Sequence, residues 1–220
     1  MTNKIRAFIF DLDGVLTDTA EYHFRAWQQL ALEEGLPFDR QDNEKLRGIS
    51  RRESLLTIMN GRPTSEARLT DMMERKNSYY VAALQTMSRD DALLPGSIAI
   101  LTELRQQGFK MAIASSSKNT RTVLARLELE EYFDAVADGY SVAQAKPAPD
   151  IFMHAAQLLA VPPQQCVVIE DAAAGVAGGL AAGMIVVGLG PAERVGKAHF
   201  VFPSLAEVQL DMILDRDEQH

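Results

Sequence analysis

Apolar positions along this chain follow two rhythms. Short, nearly continuous apolar runs rich in β-forming residues occur at 5–10 (IRAFIF), 109–115 (FKMAIAS), 134–138, 166–169 (CVVI) and 184–189 (MIVVGL), with a briefer one at 199–202. Runs of that length without alternation predict strands buried on both faces. Between them, apolar residues recur at helical spacing over about 96–107, 119–128, 149–160 and 172–182. Strands alternating with helices predict βαβ units, hence an α/β, Rossmann-like parallel sheet with helices on both faces.

Residues 19–88 interrupt the alternation with helical patterns alone. AEYHFRAWQQLALEEG places Phe24, Trp27, Leu30 and Ala31 at helical spacing and ends on Gly35. Ser50 followed by Glu53 is a capping box that opens a second helix, and Asn60-Gly61 closes it. A third, longer helix is predicted from about Ser65 to Met87. The pattern therefore divides the chain into a core of 1–17 plus 92–220 and a small helical domain, 18–91, inserted after the first strand. Two connections join them, so the insert can open and close over the strand ends.

Composition narrows the function. With 220 residues the chain can bury a full core. Its net charge of −8 argues against a nucleic-acid partner, which needs a basic stripe. Cys166, the single cysteine, allows no internal disulfide or Cys-rich zinc site and reads as a small core residue. Residues 172–192 carry no charge, but six glycines and a change from small residues to MIVVGLG after Gly183 predict a helix, a glycine cap and a strand rather than a membrane span. The N-terminal apolar stretch AFIF is ended by Asp11 before a signal-peptide core could form, which makes a cytoplasmic, membrane-free protein the expectation, here a monomer. The final residues, DRDEQH, are expected to fray.

The chemistry gathers where strands end. Open parallel sheets bind ligands at the carboxyl ends of their strands. Here the first strand ends Asp11-Leu12-Asp13-Gly14, the second Ser115-Ser116-Ser117-Lys118-Asn119 and the fourth Glu170-Asp171, while Lys146-Pro147 follows the third. Carboxylates, hydroxyls and a lysine on one rim suit phosphoryl transfer, which is mostly positioning plus neutralisation of charge. Asp11 can attack phosphorus, and Asp11 and Asp171 are oxygen ligands of the kind Mg²⁺ prefers. Lys146 would neutralise phosphate charge, and Ser115 would donate to a phosphate oxygen. Asp13 lies on the same side of an extended chain as Asp11 and can act as general acid and base. Gly14 permits the tight turn that follows. Each residue alone has a plainer reading: strand-end carboxylates often cap helices, SSSKN is an ordinary helix start, and a lysine before proline is usually a surface residue.

With DLDGV at 11–15, Ser115, Lys146-Pro147 and Glu170-Asp171 in this order, the chain resembles the haloacid dehalogenase-like superfamily of phosphotransferases over nearly its whole length. That resemblance implies Asp11 as nucleophile, Asp13 as acid/base, and Mg²⁺ held by Asp11, the Asp13 main-chain carbonyl and Asp171 with Glu170 close by. It also implies that the helical insert is a cap. Within the superfamily, TDTAEYHFRAW (17–27), LRGISR (46–51), ERKN (74–77), ASSSKN (114–119) and AKPAPDIF (145–152) resemble the phosphomutases that interconvert β-glucose 1-phosphate and glucose 6-phosphate through a 1,6-bisphosphate. By this resemblance Arg51, Ser117, Lys118 and Asn119 form a second phosphate site, Thr19 and His23 couple cap closure to Asp13, and Trp27, Gly48 and Lys76 join the substrate-binding set with Ser115 and Lys146. From its own surroundings His23 reads as a helix-face histidine packing on Trp27, His154 and His199 read as structural, and Arg52 competes with Arg51. Ser116 departs from the mutase pattern, where a small apolar residue is expected.

Three activities follow. A sugar phosphomutase, a phosphoprotein of carbohydrate metabolism acting on a small sugar phosphate, needs a lid that excludes water. A Mg²⁺-dependent phosphatase of small sugar phosphates would use the same residues with water as acceptor. A binding protein without turnover has no use for Asp11, Asp13, Lys146 and Asp171 together. Arg51 separates the first two, because a second phosphate anchor serves a mutase and is unnecessary for many phosphatases.

Overall fold

The structure, a computed structural model, describes residues 4–215; the expected fraying of the last residues falls largely outside them. The predicted strands form as β1 (Ala7–Phe10), β2 (Lys110–Ala114), β3 (Ala135–Ala137), β4 (Cys166–Glu170), β5 (Ile185–Leu189) and β6 (Phe200–Phe202). They pair in parallel in the order β3-β2-β1-β4-β5-β6. The order reverses beside β1, with β2 on one side and β4 on the other. A crevice at the carboxyl ends of β1 and β4 is therefore dictated by topology.

Alternating side chains explain the two-sided core. Phe8 and Phe10 join Ile113, Val167, Ile169 and Val187 on one face, whereas Ala7 and Ile9 join Ala112, Val168 and Val186 on the other. Helices cover both faces, which is why the strands read as unbroken apolar runs.

The inserted segment holds α1 (Ala20–Glu33), α2 (Arg40–Glu44), α3 (Arg51–Met59), α4 (Glu66–Leu84) and α5 (Arg89–Ala92); α6 (Ser97–Gln106), α7 (Thr120–Arg126), α8 (Asp150–Leu159), α9 (Ala173–Ala181), α10 (Ala192–Val195) and α11 (Leu210–Leu214) follow in the core. The capping box at α3 is made in both directions: Glu53 N donates to Ser50 Oγ at 3.2 Å, and Ser50 N donates to Glu53 Oε2 at 3.0 Å. Asn60 ends that helix at φ 47°, as its position before Gly61 suggested. The predicted third helix stops at Leu84 rather than Met87, and its last residues continue as turns. Helices α2, α5, α10 and α11, of four or five residues, went unpredicted because one turn is too short to show a period.

Trp27, Leu30, Leu46, Leu55, Ile58, Met59, Leu69 and Met72 give the insert an apolar cluster of its own. The two chain segments joining it to the sheet lie side by side. Asp18 N donates to Ala92 O at 2.8 Å, Leu94 N to Leu16 O at 3.0 Å, and the buried Thr17 hydroxyl to Ala92 O at 2.8 Å. A paired double strand is a narrow joint, suited to rotation of one body on the other.

Cys166 is buried in β4 as expected. The uncharged stretch 172–192 resolves into the nine-residue α9, a glycine turn at Gly183 and β5. Among the described residues no helix is long and apolar enough to cross a membrane. His199 serves the sheet margin, its Nδ1 accepting from Val186 N at 3.0 Å.

Candidate active site

Asp11 is the first residue beyond β1, and its amide still donates to Ile169 O of β4 at 3.0 Å. The ladder thus fixes its backbone before its side chain meets anything. Lys146, fully buried, donates to Asp11 Oδ1 at 2.6 Å and also to Glu170 Oε1. Burial opposes the ammonium charge, but Asp11 and Glu170 outweigh it and hold the lysine pKa above its ordinary value. With Oδ1 committed to Lys146, Asp11 keeps its other oxygen for chemistry.

Both Glu170 oxygens are engaged: Oε1 by Lys146 and Oε2 by the Ala172 amide at 3.0 Å. Burial, followed in effect by Asp11, raises the Asp171 pKa to about 6, although Arg47 of the cap donates to its Oδ2 at 3.0 Å. Gly14, at φ +87°, lets the turn after Asp13 cross this carboxylate, since a Cβ there would stand 2.4 Å from Asp171 Oδ2. Asp13 accepts a hydrogen bond from the Thr19 hydroxyl. Burial, then the neighbouring Asp11, pushes its carboxyl up to about 7. A carboxyl poised there can give or take a proton near neutrality.

Asp11, Glu170 and Asp171 each bring an oxygen within 4.8 Å of the others. Crowded, buried carboxylates with only oxygen donors fit a hard divalent cation, and the upward push on Asp171 is relief that such a cation would supply. Since Lys146 and Ala172 hold both Glu170 oxygens, its first task is to anchor the lysine. The Asp13 side chain is not part of this cluster.

The opposite wall is cationic. Arg51 Nη2 and Asn119 Nδ2 donate to the same Asn77 Oδ1, at 2.8 and 2.9 Å, so one carboxamide of α4 ties the cap to the loop after β2. Buried Lys76 lies 2.8 Å from His23 Nδ1 and over the rings of Trp27 and Tyr80 at 4.9 and 4.7 Å. Burial first, then Arg51, depresses the Lys76 pKa well below the lysine range; burial first, then Lys76, does the same for His23. Both shifts disfavour the charged forms, so a second positive charge on this buried pair is opposed on both sides. His23 stacks on Tyr80, at 4.1 Å between centroids, so the expected packing on Trp27 gives way to a partner from α4.

The resulting cavity, about 860 Å³ counted to its open mouth, is lined by Asp11, Asp13, Thr19, His23, Trp27, Gly48, Arg51, Lys76, Ser115, Ser117, Lys118 and Asp171 among others. Of the residues expected at the site, Lys146 and Glu170 sit beneath its floor and Asn119 stands behind its wall. The Ser115 hydroxyl accepts from Ser117 N at 3.1 Å and keeps its proton to donate. Arg52 pairs with Glu66 at the surface, whereas Arg51 lines the cavity. Ser116 donates to Gly48 O at 3.1 Å, a contact between core and cap that an apolar residue would not make. Sequence reasoning missed Arg47 and Asn77. Both lie in the stretches LRGISR and ERKN, but nothing local distinguishes a cap residue that reaches the core from its neighbours.

The haloacid dehalogenase-like hydrolase family model matches residues 5–183. The chain belongs to that family. It is 41% identical to the β-phosphoglucomutase of Bacillus subtilis over 98% of this chain and 97% of that one. A β-phosphoglucomutase structure from Clostridium difficile superposes with a TM-score of 0.92 at 40% identity, covering 98% of both chains. The chain is also 34% identical to Hexitol phosphatase A of Escherichia coli, over 93% of this chain and 94% of that one.

Proposed function

We propose that the chain is a β-phosphoglucomutase interconverting β-glucose 1-phosphate and glucose 6-phosphate through an aspartyl-phosphate and a 1,6-bisphosphate. One observation carries this reading. One cavity is lined both by the carboxylates Asp11, Asp13 and Asp171 and by the basic residues Arg51, Lys76 and Lys118. Arg40, Arg52 and Arg68 of the cap have carboxylate partners in Glu21, Glu66 and Glu34, whereas Arg51 bonds a carboxamide. Cations held partly out of water are costly unless an anion joins them, and a second phosphate is that anion.

Asp11, through its free oxygen, attacks the phosphorus of the bisphosphate; the bond from phosphorus to the sugar oxygen breaks, and Asp13 gives that oxygen its proton. In the return half-reaction Asp13 takes the proton from the sugar hydroxyl that attacks phospho-Asp11. Thr19 orients Asp13, while Lys146 and the Ser115 hydroxyl offset charge on the transferred group. Asp11 and Asp171, with the Asp13 carbonyl, would hold Mg²⁺, which supplies further neutralisation of phosphate charge. Arg51, Lys118 and Asn119 hold the phosphate that is not transferred, and the closed cap disfavours water as acceptor.

The phosphatase reading is favoured by the likeness to hexitol phosphatase A. A coupled assay separates the two. With Mg²⁺, β-glucose 1-phosphate and a trace of bisphosphate, glucose 6-phosphate should appear well ahead of free phosphate. Free phosphate alone would overturn the mutase reading in favour of hydrolysis.

A further inference from the structure

The loop after β3 brings an aromatic ring against Lys118, one of the residues that line the cavity. Asp138, buried, accepts from Tyr140 N at 2.9 Å and from the Ser141 hydroxyl at 3.2 Å, while Asp138 N donates back to Ser141 Oγ at 2.9 Å. Four residues are thereby closed into a turn held by its own side chains. Gly139 presses this turn onto the phosphate loop: its amide donates to Ser117 O at 2.9 Å, and a Cβ there would lie 2.6 Å from Ser116 O and 3.0 Å from Lys118 N. Only glycine fits that approach. Tyr140 is therefore displayed at a fixed place, and it is 72% exposed, although large aromatic side chains normally bury much of their area. Its ring lies 4.9 Å from the Lys118 ammonium, and Lys118 lines the cavity together with Arg51.

Lys118 is an exposed lysine on a flexible stem, and fixing it for each substrate would cost rotamer entropy. A ring beneath the ammonium reduces that cost. We propose that Tyr140 is a further positioning residue of this site, whose ring holds the Lys118 ammonium opposite Arg51 so that the two cations flank the non-transferring phosphate. The inference rests on the mutase reading for what the phosphate does, and on the geometry alone for where a phosphate binds.

The test compares Tyr140→Phe and Tyr140→Leu with the wild type, using calorimetric titration with glucose 6-phosphate and steady-state kinetics on two substrates. An exposed cation–π contact is worth a change of about 2- to 5-fold in affinity, so Tyr140→Leu should weaken glucose 6-phosphate binding and raise KM for β-glucose 1-phosphate by about that factor. Turnover of acetyl phosphate, which has no second phosphate to place, should be unchanged, and Tyr140→Phe should restore wild-type binding. Unchanged binding in Tyr140→Leu overturns the proposal, as does an equal loss with acetyl phosphate or a Phe variant as weak as Leu. Failure of the mutase reading looks different: the wild type would bind glucose 6-phosphate in a ring-dependent way without forming it. A wild type that does not bind glucose 6-phosphate refutes the positioning role as well.

Discussion

The floor and the outer wall of the cavity are built on opposite plans. The floor belongs entirely to the sheet: Asp11, Lys146, Glu170 and Asp171 project from strand ends or their loops and are all buried. Lys146 stands between two of its three carboxylates, Asp11 and Glu170. The outer wall is assembled from two bodies, Arg51 and Asn77 from the cap and Asn119 from the core, and its cations lack a comparable counter-charge. The floor is thus ready before substrate arrives, whereas the wall is completed by cap closure and by the anion it receives. A transferring group needs the first arrangement, and a substrate that must turn around and bind again needs the second.

Breaking the floor should have the largest effects. Asp11→Asn keeps the shape and an acceptor for Lys146 but removes the nucleophile. Turnover should fall on the order of 10⁴- to 10⁶-fold, with no acid-stable, hydroxylamine-sensitive phosphoenzyme. Appreciable turnover in that variant would move the nucleophile elsewhere. Lys146→Met leaves Asp11 and Glu170 facing each other without the ammonium, and urea denaturation should show a loss of about 3–5 kcal/mol. A midpoint near that of the wild type would mean that the two carboxyls share a proton and that the lysine is not what balances the floor.

The same contrast explains what was legible in the sequence. The floor could be read because a parallel sheet sends its strand ends to one rim, so IRAFIF before Asp11 and CVVI before Glu170 place those carboxylates without further information. The burial of Lys146 was not visible, since Ala145 and Pro147 look the same beside a surface lysine. The wall was harder. Arg51 lies inside a capping box and could be found, but Arg47 and Asn77 act across the joint, and no local pattern marks a side chain whose partner is far away in the chain. His23 shows the limit: its helix offers Trp27 at i+4, yet Lys76 and Tyr80 of α4 claim it. The short helix α2 failed for a different reason. Its Asp39 and Asp42 make a reciprocal cap that is readable once the helix is known, but five residues show no periodicity.

Removing the wall should be more selective than removing the floor. Arg51→Ala deletes one end of the Arg51–Asn77–Asn119 tie and one phosphate anchor, leaving the nucleophile untouched. Isomerisation of β-glucose 1-phosphate should lose about 10- to 10²-fold in kcat/KM, the size of one or two charge-assisted hydrogen bonds. Hydrolysis of acetyl phosphate should change by less than about 2-fold, because uniform binding of an absent second phosphate contributes nothing there. Equal losses on both substrates would make Arg51 a structural support of the cap and erase the contrast between wall and floor.

The smallest effect tests whether the floor is complete without a cation. Asp13 and Asp171 have pKa values raised to about 7 and about 6, in each case by burial first and Asp11 next. An acid whose folded pKa exceeds its unfolded value binds its proton more tightly in the folded state. Such a group costs nothing below the unfolded pKa, near 4, and destabilises increasingly as pH rises toward the folded value. In EDTA, therefore, Tm should fall steadily between about pH 4 and pH 7, with each kcal/mol lost equal to about 2–4 °C for a chain of this size. Mg²⁺ competes with those protons, so it should raise Tm more at pH 8 than at pH 5, in proportion to the logarithm of its concentration once its site is saturated. A Tm that is flat in pH and indifferent to Mg²⁺ would mean that Arg47 and Lys146 already balance the three carboxylates. The floor would then be self-sufficient, and Arg47, which reaches Asp171 from the cap, would count among its members rather than among those of the wall.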